Sequence, residues 1–400
     1  MKPPPDRVRA QLRQPVATLD TPALVIDLDA LERNVQRMAA FAKQHKIRWR
    51  PHGKAHKSAD IALSLMQAGA VGACVQKTSE AEALANGLVN DIYISNEVID
   101  RPKLLRVARL AHLLAAERGR LAIAVDSLEG VQRLAAAIER FETETDGSDP
   151  AMVGESLMDV FVEIDVGQGR CGVEPGHAAV ALAVEIARHS ALRFAGLQAY
   201  HGGAQHVRGV AERQGVIEQA ARAIRRTRDQ LEAAGYEVPL VTGGGTGSFA
   251  LEAATGVWGE MQPGSFLFMD ADYGRNDADP AQPAFEHSLF VKTQVMSRGY
   301  DRAICDAGHK SHAVDSGMPR VHSLGRVGDL VYSNGGDEHG ILRAADADGW
   351  LPEIGETLWL IPGHCDPTIN LHDQMFGVRG GLQDGVVERI IPVDARGAVS

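Results

Sequence analysis

The run Leu121-Ala122-Ile123-Ala124-Val125, followed by DSLEGVQRLAAAIERF at 126–141, sets how the whole chain is read. A short apolar run bounded by polar residues suits a buried strand. After it, Leu128, Val131, Leu134, Ala135, Ile138 and Phe141 recur at three and four, so they share one face of a helix. Strand and helix together make one βα unit, and repeated units of this kind build parallel sheets. The number of units then decides the architecture.

Working outward, seven more segments carry the strand pattern: IRWRPH (47–52), AVGACVQ (70–76), IYIS (92–95), DVFVEIDV (159–166), RFAGLQAY (193–200), VPLVTG (238–243) and SFLFMD (265–270). Helical patterns separate them. Eight such units fit the size of a (β/α)8 barrel, about 250 residues. Upstream, LVIDL (24–28) precedes a helix expected to open at Asp29, with Glu32 at capping-box spacing and Leu31, Val35, Met38 and Ala42 on one face. Beyond 277 the rhythm changes to closely spaced strands (SLFVKTQVMS, DRAICDAG, DLVYSNGGDEHG, TLWLIPGH, FGVRGG, VVERIIPV), which predicts an all-β domain over 278–400. Residues 1–20 read as a loose arm, 21–277 as the barrel, and the aperiodic polar stretch 142–156 as an exposed loop.

With 400 residues and a formal charge of −11, the chain has the composition of an ordinary globular protein and not of a phosphate-backbone binder, so no nucleic-acid partner is expected. Its four cysteines are scattered without a C-x-x-C pair, which argues against a disulfide framework and a thiolate zinc finger. Neither a secretory h-region nor a bilayer-length apolar run is present, so a cytoplasmic location away from the membrane is expected.

Several unusual motifs follow the predicted strands, at the end of the barrel where active sites form. RPHGKAHKS brings Lys54 and Lys57 after the first strand; a lysine at a barrel mouth, its pKa lowered by burial, can act as a Schiff-base nucleophile. TGGGTGS (Thr242, Gly243, Gly244, Gly245, Thr246, Gly247, Ser248) follows the seventh, where backbone N–H groups can cradle a phosphate. Lysine and phosphate cup together point to pyridoxal phosphate. DVGQGRCGV aims Arg170 at a ring nitrogen, at an anion or into a structural salt bridge, and LQAYHGGAQH brings Tyr200 close to His201 and His206, histidines that could act as acid or base. PGHCDPTINLHD spaces His364 and Asp366 so that an extended strand would put both on one face, as metal ligands. DEHG (337–340), His309 and His312 are further polar candidates, and His309, His312 and Arg275 could read a second carboxylate.

Taken in order, DTPALVIDLDALERN, RPHGKAHKS, VQKTSEAEAL, ISNEV, VGQGRCGV, LQAYHG, TGGGTGS, FMDADYG, DEHG and PGHCDPT resemble the D-threonine aldolase and D-serine dehydratase-like family of fold type III, alanine racemase-like pyridoxal phosphate enzymes. The resemblance implies that Lys54 is the Schiff-base lysine, that Arg170 lies against the pyridine nitrogen, and that Gln76 and Tyr200 line the cofactor. It implies His364 and Asp366 as metal ligands, pairing of strand 22–28 with the β domain, and a homodimer; the catalytic base is expected to be His206 or a metal-bound hydroxide, since each falls in a motif expected to face the cofactor. Dehydratases of the family carry Cys two residues after the His; His364-Cys365-Asp366 is similar to the aldolases, and a carboxylate favours Mn or Mg. The expected reaction is metal-dependent cleavage of a small D-3-hydroxy amino acid, D-threonine or 3-hydroxy-D-aspartate, to glycine and an aldehyde or glyoxylate. The alternative is a D-serine or 3-hydroxyaspartate dehydratase, and behind it a non-catalytic pyridoxal phosphate carrier.

Overall fold

The computed structural model describes residues 5–144, 158–322, 324, 329–346 and 349–400. Strand β1 (Ala23–Asp27) precedes the parallel strands β2 (Arg48–Trp49), β3 (Ala73–Val75), β4 (Asp91–Ile94), β5 (Arg120–Val125), β6 (Met158–Glu163), β7 (Leu192–Gln198), β8 (Val241–Gly243) and β9 (Glu260–Met261). Their spatial order is β2-β9-β8-β7-β6-β5-β4-β3. A parallel bridge between His52 and Cys74 joins the two outer strands, so the eight close as a (β/α)8 barrel.

The helix Leu128–Glu144 shows why the pattern was legible: Val131, Leu134, Ala135 and Ile138 are buried against the barrel. Leu128, at its solvent-facing start, is exposed. Of the predicted loop 142–156, residues 142–144 end this helix and the rest lies outside the described residues.

Two expectations are corrected. The helix Leu28–His45 is capped by Asp27, whose carboxylate accepts from the N–H groups of Asp29 and Ala30; Asp29 and Glu32 instead hold Arg379. The eighth barrel strand is Glu260–Met261, not SFLFMD. Residues Ser265–Leu267 form a 3-10 turn whose apolar side chains are buried, because Pro263 and Gly264 end the strand and turn the chain inward.

The second sheet comprises β10 (Leu289–Arg298), β11 (Ala303–Cys305), β12 (Arg320–His322), β13 (Leu330–Asn334), β14 (Gly340–Ala344), β15 (Thr357–Ile361), β16 (Gln374–Arg379) and β17 (Val386–Pro392), together with β1. Strand β1 lies antiparallel to β10 and parallel to β16, so the chain leaves this sheet before it builds the barrel. Strand β12, three residues long, and strand β14, which pairs back on β13 directly after DEHG, had no counterpart in the sequence reading.

The described part of the N-terminal arm is not loose. Val8, Val16 and Leu19 are buried against the β sheet, and the N–H groups of Arg13 and Val16 donate to Val387 O and Gly385 O. The buried Lys292 ammonium donates to the carbonyls of Val16, Ala17 and Leu19 at 2.7–3.0 Å, which ties the arm to β10.

Candidate active site

At the C-terminal mouth of the barrel lies a cavity walled mostly by polar side chains. Lys54, Gln76, Arg170, Tyr200, His206, Gly245, Thr246, His364 and Asp366 all line it. These residues come from six chain segments. His52, Ser95, Gln198, Gln262, Gly264, Ser265 and Tyr273 line it as well and were not assigned from the sequence.

Lys54 sits in a 3-10 turn immediately after β2, on the cavity wall. The expected fall in its pKa is not seen. Burial pushes the ammonium down, but the Tyr200 hydroxyl and the Asp366 carboxylate more than offset it, and the net direction is up. Burial also lifts the Tyr200 phenol, while Lys54 and Arg170 pull it the other way. Lys57 is turned away. Its ammonium pairs with Glu80 at 2.6 Å and donates to Ala395 O, which leaves Lys54 as the lysine facing the cavity.

His52 is buried beside Lys54, and burial drives its imidazole well below the ordinary histidine value, so it is neutral. Its ring nitrogens take the Lys54 N–H at 3.4 Å and meet Gln76 at 3.1 Å. Gln76 in turn donates to Ser95. Below the cavity a polar rod runs down the barrel axis: Gln198 receives from Tyr93 and Gln262, Gln262 reaches Thr242, and Thr242 reaches Glu260, which pairs with Arg50. This rod explains why Thr242 is buried and does not reach the cavity.

Of the glycine run, Gly245 and Thr246 face the cavity, whereas Gly243, Gly244, Gly247 and Ser248 form its support. At Gly243 a Cβ would stand 2.2 Å from Ala199 O. Gly244 combines φ +73° with a position 2.2 Å from a Glu252 carboxylate oxygen, so only glycine fits there. Gly247 N–H donates to Gln205, and Ser248 accepts from the same side chain. The N–H groups of Gly245, Thr246, Gly264 and Ser265 donate to no protein acceptor among the described residues, and all four residues line the cavity. Free N–H groups converging from two loops suit a phosphate. Gly264 and Ser265 belong to the stretch after β9 whose end was misread as a strand.

Opposite Lys54, His364 and Asp366 lie at the start of a short helix (Cys365–Ile369), not along an extended strand. Their side chains still converge: His364 Nε2 is 3.9 Å from Asp366 Oδ1, and that oxygen is buried without a hydrogen-bond donor. His364 Nδ1 bonds the fully buried Asp270 carboxylate at 2.9 Å, which also accepts from Cys365 N. Burial alone would lower His364, but Asp270 and Asp366 carry it up to about 9. A histidine oriented by a carboxylate, beside an orphaned carboxylate oxygen, has the chemistry to hold a divalent ion. Asp270 was present in the FMDADYG motif without a role, because nothing local pairs it with a histidine 94 positions later.

His206 Nδ1 lies 2.6 Å from Asp272 Oδ2, and its ring leans on Tyr273 at the cavity rim. Arg170 holds its guanidinium carbon 5.9 Å from the Tyr200 ring centre. The remaining candidates stand elsewhere. His309 pairs with Asp337, Lys310 holds Glu338, His312 is buried against Tyr332, and Arg275 is held by Asp272 at 2.5 Å; none of them lines the cavity.

The model of the alanine racemase N-terminal domain matches residues 26–272, and a serine dehydratase domain model matches 288–378. A 3-hydroxy-D-aspartate aldolase of Paracoccus denitrificans is 42% identical over 95% of this chain and 92% of its own. A D-threonine aldolase of an Arthrobacter species is 42% identical, over 99% and 96%. The chain belongs to this aldolase family. The crystal structure of the D-threonine aldolase of Filomicrobium marinum shares the family fold with a TM-score of 0.88 at 44% identity, covering 97% of this chain and 99% of that one. As a member of a family of aldolases, the chain is a lyase. No helix among the described residues is long and apolar enough to cross a membrane.

Proposed function

We propose that this family member cleaves the Cα–Cβ bond of a D-3-hydroxy amino acid, D-threonine or 3-hydroxy-D-aspartate, to glycine and an aldehyde or glyoxylate, using pyridoxal phosphate at Lys54 and a divalent metal at His364 and Asp366. The observation that carries the reading is that Lys54, the free N–H cup and the His364/Asp366 pair share one cavity. Pyridoxal phosphate, when bound, supplies the electron sink for the bond cleavage.

The protein's own residues do the rest. Lys54 presents the amine that holds the cofactor, and the N–H groups of Gly245, Thr246, Gly264 and Ser265 hold its phosphate. Arg170, a permanent cation on the cavity wall, is suited to face the ring nitrogen and keep it unprotonated. Asp270 fixes the ring of His364, so that Nε2 and the orphaned Asp366 oxygen would hold the ion between them, and a divalent ion there would supply the charge that makes a bound hydroxyl more acidic. His206, held by Asp272, is the side chain at the rim able to accept that proton.

Mn or Mg suits the carboxylate ligand, and a cytoplasmic homodimer belongs to the same proposal. The dehydratase alternative draws on a thiolate ligand. Here Cys365 is fully buried with its sulfur toward Met269 O, while a carboxylate fills the ligand position. The test is a panel of D-threonine, 3-hydroxy-D-aspartate and D-serine with glycine and ammonia both measured. Glycine formation that chelation abolishes is expected; ammonia as the main product, or a rate that survives metal removal, overturns the reading.

A further inference from the structure

We propose that segment 393–397 is a strap that fixes the cofactor half of the site against the metal half, and that Lys57 is the positioning residue that locks it. The proposal rests on the reading that Lys54 holds the cofactor and that His364 with Asp366 holds the metal. These halves belong to different sheets: Lys54 and Gln76 follow barrel strands β2 and β3, whereas His364 and Asp366 follow β15. Segment 393–397 directly follows β17 and bonds to both.

On the barrel side the strap meets the loop that carries Lys54. Ala395 N–H donates to Lys57 O at 3.0 Å, and the Lys57 ammonium donates to Ala395 O at 3.3 Å. Asp394 Oδ2 accepts from Ala59 N–H at 2.8 Å, so it caps the helix Ala59–Gln67 from across the fold, where Ser58 offers no side-chain cap. On the metal side, Val393 N–H donates to Asp373 O, Gly397 N–H donates to Asn370 Oδ1 at 2.9 Å, and Arg396 pairs with Asp373. Asn370 and Asp373 lie just past the short helix that begins at the metal pair.

Lys57 also reaches a third element. Its buried ammonium meets Glu80 Oε1 at 2.6 Å, and Glu80 Oε2 accepts from the N–H groups of Gln76 and Lys77. Gln76 faces the cavity and touches His52, which takes the Lys54 N–H. One ammonium therefore ties the Lys54 loop, the Gln76 loop and the strap together. The backbone carries the same message: Lys57 has φ +52°, in the left-handed region that side chains of its kind seldom occupy. Such a conformation persists where surrounding bonds over-determine it, and these places cluster at functional sites. Lys57 N–H closes the turn by donating to Gly53 O at 2.7 Å.

The experiment uses the full chain carrying K57M together with E80Q. Removing one charge alone would leave the other buried and unpaired, and the fold would suffer for an unrelated reason. The double variant buries no such charge, and the amide oxygen at position 80 can still accept from Gln76 and Lys77. Without cofactor and metal, we expect amide hydrogen exchange to quicken at least about tenfold at positions 57, 59 and 395, with β4 to β7 unchanged. With cofactor and metal saturating, kcat should fall at least about tenfold while substrate KM and metal affinity stay within about threefold, since the binding groups are intact and only their mutual placement is loosened. D394A, which keeps the charge pair, should move exchange and kcat the same way by a smaller factor. Unchanged exchange at the strap, unchanged kcat, or a loss confined to KM would each overturn the proposal. The exchange result does not depend on which cofactor binds, so failure of the pyridoxal phosphate reading shows separately, as absence of a Schiff-base band in the unaltered protein.

Discussion

Replacing Glu252 by Gln probes the support beneath the phosphate cup. Glu252 is fully buried, and a Cβ at Gly244 would stand 2.2 Å from one of its carboxylate oxygens. Neither oxygen meets a donor at good geometry; burial lifts the carboxyl to about 8, and the Ser248 hydroxyl offsets only part of that. In the unfolded chain the same group titrates near 4.5. Between these values the folded protein holds one proton more than the unfolded one, so stability falls as pH rises. The contribution is complete below about 4.5 and is lost at roughly 1.4 kcal/mol per pH unit until the folded value is reached. The total is about 5 kcal/mol, of which about 3 is already gone at pH 7. Gln cannot ionise, so E252Q should gain on the unaltered protein across this window while any packing cost stays constant. The assay is urea unfolding of both proteins without cofactor at several pH values from about 5 to about 8. A difference between the two that does not change with pH would refute a buried neutral carboxyl.

Lys54→Ala should abolish the Schiff-base absorbance band and the activity; Lys57 cannot stand in, because Glu80 and Ala395 O hold its ammonium. A band that persists in K54A would reassign the lysine. Asp270→Asn should leave the fold intact and lower metal affinity about 10- to 100-fold, read by titration calorimetry, since it unfixes the His364 ring. Unchanged affinity would separate Asp270 from the metal. Lys292→Met removes three buried donations and should cost at least about 2 kcal/mol, with early proteolysis of the N-terminal arm. A melting temperature equal to that of the unaltered protein would show that the arm needs no such tie.

Local physics carried much of the reading. Side-chain period revealed the βα units because each helix buries one face on the sheet, as Val131, Leu134, Ala135 and Ile138 do. Lys54, and His364 with Asp366, were legible because their motifs are contiguous and follow strand ends. What failed were short or aperiodic pieces. Two residues at Glu260–Met261 have no period to detect, and the apolar run SFLFMD looks the same whether it pairs as a strand or is buried as a turn.

The amino-acid sequence by itself determined the barrel, the all-β segment and the chemical types at the mouth, because hydrophobic period and motif are properties of neighbours along the chain. Only the tertiary structure decided which partners those groups have. Asp270 meets His364, Glu252 fills the space above Gly244, and the loop at Gly264 and Ser265 completes the cup begun by Gly245 and Thr246. Each pairing depends on barrel closure bringing distant strand ends together, and the same closure sets how far burial moves a proton on or off a carboxyl.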